Sequence, residues 1–97
     1  MFVVDLKYIA SLEKIDSIMG EHMKFLRKYY KLNAFIASGR KVPRTGGIIL
    51  VLAKSKDEVE KIIHEDPFII NKLAGYSITE FRASQVHPDL KKLVGDV

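Results

Sequence analysis

The sequence predicts an α+β domain of ferredoxin-like plan, in which four antiparallel strands and two main helices follow one another as βαββαβ with the helices on one face of the sheet. Three observations predict it. Short apolar and β-branched segments recur at residues 2–9, 34–40, 48–53 and 76–83. Helical spacing of apolar residues fills the stretch between the first and second segments and the stretch between the third and fourth. Between the second and third there is only the turn-rich Lys41-Val42-Pro43-Arg44-Thr45-Gly46-Gly47, which makes those strands a hairpin.

Each element has its own signal. In the first strand Phe2, Val4, Leu6 and Tyr8 share one face. Ser11 is placed to cap the first helix, which runs to about Leu32 on Leu12, Ile15, Ile18, Met19, Met23, Phe25, Leu26, Tyr29 and Tyr30. Asn33 suits the left-handed position that closes a helix. Gly20, in mid-helix, costs about 0.5–1 kcal/mol relative to Ala and is either simply tolerated or allows close approach of a partner. The third strand, residues 48–53, is apolar at every position, so both of its faces should be buried. Two helices cover only one face of a four-stranded sheet. A second subunit is the simplest cover for the other, with the C-terminal segment as the alternative, and a homodimer is expected. Ser55 or Lys56-Asp57 opens a second helix to about His64, with Val59, Ile62 and Ile63 inward. Asp66-Pro67 starts a short extra turn through Leu73, Gly75 separates it from the fourth strand, and residues 88–94 form a short C-terminal helix.

A chain of 97 residues, 47% hydrophobic and 29% charged, has the size and core of one domain, taken as residues 1–97. It has no cysteine, which excludes disulfides, thiolate metal sites and cysteine nucleophiles and fits a reducing compartment. Met1-Phe2-Val3-Val4-Asp5 lacks the basic start of a signal peptide, and no apolar run approaches the roughly 20 residues of a membrane helix. A cytoplasmic protein without membrane contact is expected. The net charge of +4 allows a nucleic-acid partner. Much of that charge, however, lies in Lys24, Arg27, Lys28 and Lys31, on the helix side opposite the apolar stripe, where it reads as a solvated face.

The chemistry-bearing residues are few. At about 100° per residue, Ile15, Ile18, Met19, Leu26 and Tyr29 fall within roughly 60° of His22, so an imidazole sits at the centre of an apolar stripe. It is either a core histidine with satisfied nitrogens or a working imidazole in a pocket between helix and sheet. A carboxylate would fix its tautomer, and Asp5 and Asp66 are the candidates. Asp66 before Pro67 is also an ordinary helix cap, and the two roles are compatible. His64 and His87 read as helix-end histidines, and no histidine pair has the spacing of a helical zinc site. A metal shared by His22, His64 and Asp66 is not expected. Gly46-Gly47 matches no phosphate loop and reads as a tight turn; Arg44 beside it is the best-placed clamp for an anionic ligand.

Four short motifs in order carry a resemblance. They are His22 with Phe25-Leu26, Ser38-Gly39, Pro43-Arg44-Thr45-Gly46-Gly47 and Asp66-Pro67-Phe68. Over about residues 2–83 the chain resembles the YCII-related family of the dimeric α+β barrel group. The resemblance implies a ferredoxin-like fold, a dimer, and a pocket in which His22 and Asp66 form a pair lined by Ser38, Gly39 and Arg44. It departs from the family at Arg40, where proline is common, and at Leu32-Asn33, where glycine is usual.

The expected function is therefore general acid–base chemistry by His22, oriented by Asp66, on an unidentified small organic molecule. The reaction would be of lyase, isomerase or dehalogenation type and would need no organic cofactor, since no cofactor motif is present. The alternative is a non-catalytic small-molecule-binding or accessory module with the same pocket. An RNA-binding domain of the same strand order is disfavoured, because Gly47-Ile48-Ile49-Leu50-Val51-Leu52-Ala53 offers no aromatic for base stacking.

Overall fold

The computed structural model describes residues 1–95. Strands β1 (Phe2–Tyr8), β2 (Phe35–Arg40), β3 (Gly46–Val51) and β4 (Ala74–Glu80) form one sheet of order β2-β3-β1-β4, antiparallel throughout. With helices α1 (Leu12–Lys31), α2 (Lys56–Ile63) and α3 (Pro67–Ile70), this is the ferredoxin-like arrangement expected. A 3-10 turn at Pro88–Leu90 and a last helical turn α4 (Lys91–Val94) follow β4.

The caps stand where the sequence places them. Ser11 accepts from the Lys14 amide at 3.3 Å and Ser55 from the Glu58 amide at 3.2 Å. Asn33 adopts φ 59°, and the Ala34 amide donates back to Tyr29. Among the described residues nothing outside its own helix backbone and neighbours lies within 4 Å of a Cβ placed on Gly20.

Strand parity divides the sheet into two faces. Phe2, Val4 and Leu6 of β1 and Ile49 and Val51 of β3 bury against Phe25, Leu26 and Tyr29 of α1 and Val59, Ile62 and Ile63 of α2. A second cluster joins Ile15, Phe68 and Ala74. On the opposite face Val3 pairs with Leu50 and Asp5 with Ile48, and these apolar side chains are only half-buried. The expectation that β3 is buried on both faces thus holds for one face within this chain. None of the described residues from Phe81 to Gly95 is buried.

β1 and β2 are each one residue shorter than expected, β3 and β4 end at Val51 and Glu80 rather than at residues 53 and 83, and both of these strands begin two residues early. β3 begins at Gly46 rather than at residue 48, because Gly46 pairs with Lys7 so closely that a Cβ there would lie 1.8 Å from the Leu6 carbonyl oxygen. Only glycine lets the hairpin keep its ladder at that point. β4 begins at Ala74 and runs through Gly75, which pairs with Lys7 on the other side. Gly75 is part of the strand and not its separator, since pairing with β1 extends to the Tyr8–Ala74 pair.

Candidate active site

His22 lies on α1 between the turns that bury Ile15 and Phe25 and is 8% exposed. Asp66 is the N-cap of α3 and is fully buried. The sequence brings the two together by a short route. α2 ends at Ile63, the Asp66 amide donates to the Ile63 carbonyl at 3.0 Å, and Pro67 begins α3 at once. The Asp66 side chain therefore points back under α1. Lys28 and Tyr29 of α1 both hold Glu65, at 2.7 and 2.5 Å, which ties this turn to the helix that carries His22.

The His22 Nδ1 and Asp66 Oδ1 atoms are 2.8 Å apart. Asp66 Oδ1 also accepts from the Phe68 amide at 2.9 Å, so the cap and the contact with His22 share one oxygen. If this oxygen acts as acceptor, the proton of a neutral imidazole sits on Nδ1, which would leave Nε2 as the basic nitrogen. Phe68 stacks on the imidazole, with ring centroids 4.1 Å apart and planes 14° from parallel, and Tyr8 meets Phe68 edge-on. The second carboxylate oxygen of Asp66 is buried with no partner among the described residues. An unsatisfied buried oxygen costs about 1–3 kcal/mol, which a purely structural core has no reason to keep.

His22 opens onto a cavity of about 240 Å³ between α1 and the β2–β3 end of the sheet. Leu6, Met19, Leu26 and Ile49 make apolar walls, and Phe68 covers the His22 side. Gly47, opposite Leu6 and Arg40, leaves the floor open. Ser38 and Gly39 are among the residues that line the cavity, and Ser38 Oγ lies 2.8 Å from the Tyr30 hydroxyl.

Arg44 is placed differently. Its guanidinium pairs with Asp16 of α1 and does not line the cavity. The hydrogen bond from Arg44, with the charges of Arg44 and Arg40 behind it, holds the Asp16 carboxyl below the usual carboxylate range against the opposing effect of burial. The same bond raises Arg44. Arg44 is thus engaged within the chain, and the arginine that reaches the cavity is Arg40. Parity could have found it: Ser38 is opposite inward-facing Ile49, so Arg40, two residues on, shares that face. Tyr8, Met19 and Met23 are further lining residues, legible only as apolar positions. His64 turns to the Glu60 carbonyl at 2.6 Å and to the edge of Tyr76, so it does not join His22 and Asp66. Among the described residues no three His, Cys, Asp or Glu side chains converge as a metal site, and no helix is long and apolar enough to cross a membrane.

A model of the YCII-related domain matches residues 1–82. No curated protein matches the chain. Among solved structures, the chain is similar to the 5-chloro-2-hydroxyhydroquinone dehydrochlorinase of Burkholderia phenoliruptrix AC1100 in complex with 2,5-dihydroxybenzoquinone. The likeness has a TM-score of 0.73 at 20% identity and covers 84% of this chain and 92% of that one. At that identity it speaks for the shared fold.

Proposed function

The chain belongs to the YCII-related family, and from that premise we propose that it is a small-molecule enzyme using His22 and Asp66 for general acid–base chemistry. One observation carries the proposal: a buried carboxylate oxygen 2.8 Å from His22 Nδ1, on an imidazole that lines an apolar cavity. Nε2 takes a proton from a carbon or hydroxyl of the ligand. Asp66 holds the resulting imidazolium in place, and Phe68 shields the pair from water. Return of the proton to another carbon makes an isomerase; departure of a leaving group from the adjacent carbon makes a lyase. A dehydrochlorinase performs the second kind of step, so the similar solved structure supports this reaction class without fixing the leaving group.

The proposal treats residues 1–97 as one such domain, working in the cytoplasm as a homodimer joined through the half-buried sheet face of Val3, Ile48 and Leu50. Nucleic acid is not proposed as a partner, since no strand residue on that face is aromatic. The competing possibility is a binding module that uses the same cavity without turnover.

A substrate-independent assay separates the two. A panel of small enolisable carbonyl compounds and hydroxylated ring ketones is incubated with the protein in D2O, and proton loss is followed by NMR. The expected result is exchange or elimination on at least one compound, reduced by about 100-fold or more in His22→Ala. Compounds that bind at the cavity but never exchange would favour the binding module. A nitrogen-15 spectrum showing the proton of neutral His22 mainly on Nε2 would remove the proposed base.

A further inference from the structure

We propose that Arg40 is the receptor for an anionic oxygen of the ligand, so that the cavity takes small, single-ring-sized acids: an apolar body toward His22 and a carboxylate or phenolate at the rim. The inference rests on the acid–base reading for the role of His22, but not for the binding of the anion.

The placement of Arg40 follows from pairing. Ser38 lies opposite Ile49, which is buried on the helix face, and Arg40 lies opposite Gly47 on that same face. The Tyr30–Ser38 contact fixes this side of β2 toward α1 independently. Because position 47 is glycine, no side chain of β3 stands between Arg40 and the cavity floor. Arg40 is exposed at the rim and acts on Asp16 only through its charge, without a direct bond to it. Asp16 is taken by Arg44, and Asp5, on the other sheet face, by Lys41 at 2.5 Å. Among the described residues Arg40 has no ion pair or side-chain hydrogen bond, while it lines a cavity whose other walls are largely apolar. A guanidinium in that position recognises a carboxylate or phenolate with paired hydrogen bonds, and the Ser38 hydroxyl on the same face is a neutral second partner. The cavity, about 240 Å³, lies somewhat below the roughly 300 Å³ at which ligand pockets commonly begin, which limits it to about one ring.

Binding of benzoate and phenylacetate, each against its uncharged amide, is measured by calorimetry at low salt for the full chain, Arg40→Gln and Arg44→Gln. The carboxylates should bind better than the amides. Arg40→Gln should reduce that preference about tenfold, the loss typical of one charge-assisted contact, and should leave amide binding unchanged. Arg44→Gln should keep the preference. No carboxylate preference in the natural protein, or a preference that survives Arg40→Gln, overturns the inference. Its failure is distinct from failure of the acid–base reading: a lost preference in Arg40→Gln with no proton exchange in the assay above leaves the anion site standing alone, and the reverse pattern leaves His22 and Asp66 standing alone.

Discussion

His22 and Asp66 are each costly without the other. Removing the imidazole leaves a fully buried carboxylate with one amide as its remaining partner. Removing the carboxylate leaves a buried Nδ1–H without an acceptor and α3 without its cap. His22→Ala and Asp66→Ala should each destabilise the fold by about 2–3 kcal/mol, from the desolvation left uncompensated and the lost cap. The double variant should cost less than the sum by about 1 kcal/mol or more. Urea unfolding of the four proteins measures this, and strict additivity would show that the 2.8 Å contact carries no energy. An apolar replacement of His22 alone brings no gain, because Asp66 is fully buried.

Among the elements, the hairpin that lines the cavity and the α2–β4 contact away from it each make a prediction. Gly46 is the tightest position, with the Leu6 carbonyl where a Cβ would be, whereas a Cβ on Gly47 would lie 3.1 Å from the Gly39 oxygen. Gly46→Ala should therefore cost about 2–3 kcal/mol, toward the upper end for overpacking, and Gly47→Ala about 1 kcal/mol. Equal costs in denaturant unfolding would contradict the register. On the far side, Tyr76 donates to Glu60, and this hydrogen bond, with burial second, pushes its phenol from 10.0 up to about 12. The folded state thus binds the phenolic proton more tightly than the unfolded state does. That stabilisation is complete below pH 10 and is lost as the pH rises from 10 to about 12. Tyr76→Phe should flatten the fall in stability over that window. Some slope should remain, because burial, followed by the bond to Glu65, raises Tyr29 as well. An unchanged slope would mean that Tyr76 is not bonded to Glu60.

For the whole molecule, the two faces of β3 make opposite predictions. Val51 is fully buried toward the helices, and Leu50 is half-buried on the open face beside Val3 and Ile48. Val51→Asp should prevent folding, since it places a carboxylate among Phe2, Phe35 and the α2 side chains. Leu50→Asp should leave the fold intact and separate the subunits. Sedimentation of the natural protein at micromolar concentration should give about twice the 11.0 kDa chain mass, and Leu50→Asp the single mass with an unchanged far-ultraviolet spectrum. A natural protein that sediments as a monomer would refute the dimer.

Much of this was legible in the sequence because it depends on local rules. Period and turn chemistry are local, and they specify the four strands, both main helices, the caps at Ser11, Ser55 and Asp66 and the left-handed Asn33. The helical wheel puts His22 inward, and the family resemblance implies Asp66 rather than Asp5 as its partner. What the sequence could not decide is how two elements approach each other. The extension of β3 back to Gly46 depends on the Leu6 carbonyl, and that of β4 through Gly75 on pairing with β1. The choice between the two arginines depends on a residue far off in the chain: Asp16, on α1, captures Arg44 and leaves Arg40 at the cavity. Periodicity reports which face a side chain takes. Only the packed chain shows which charge has already found its partner, because pairing depends on distance in space rather than along the sequence.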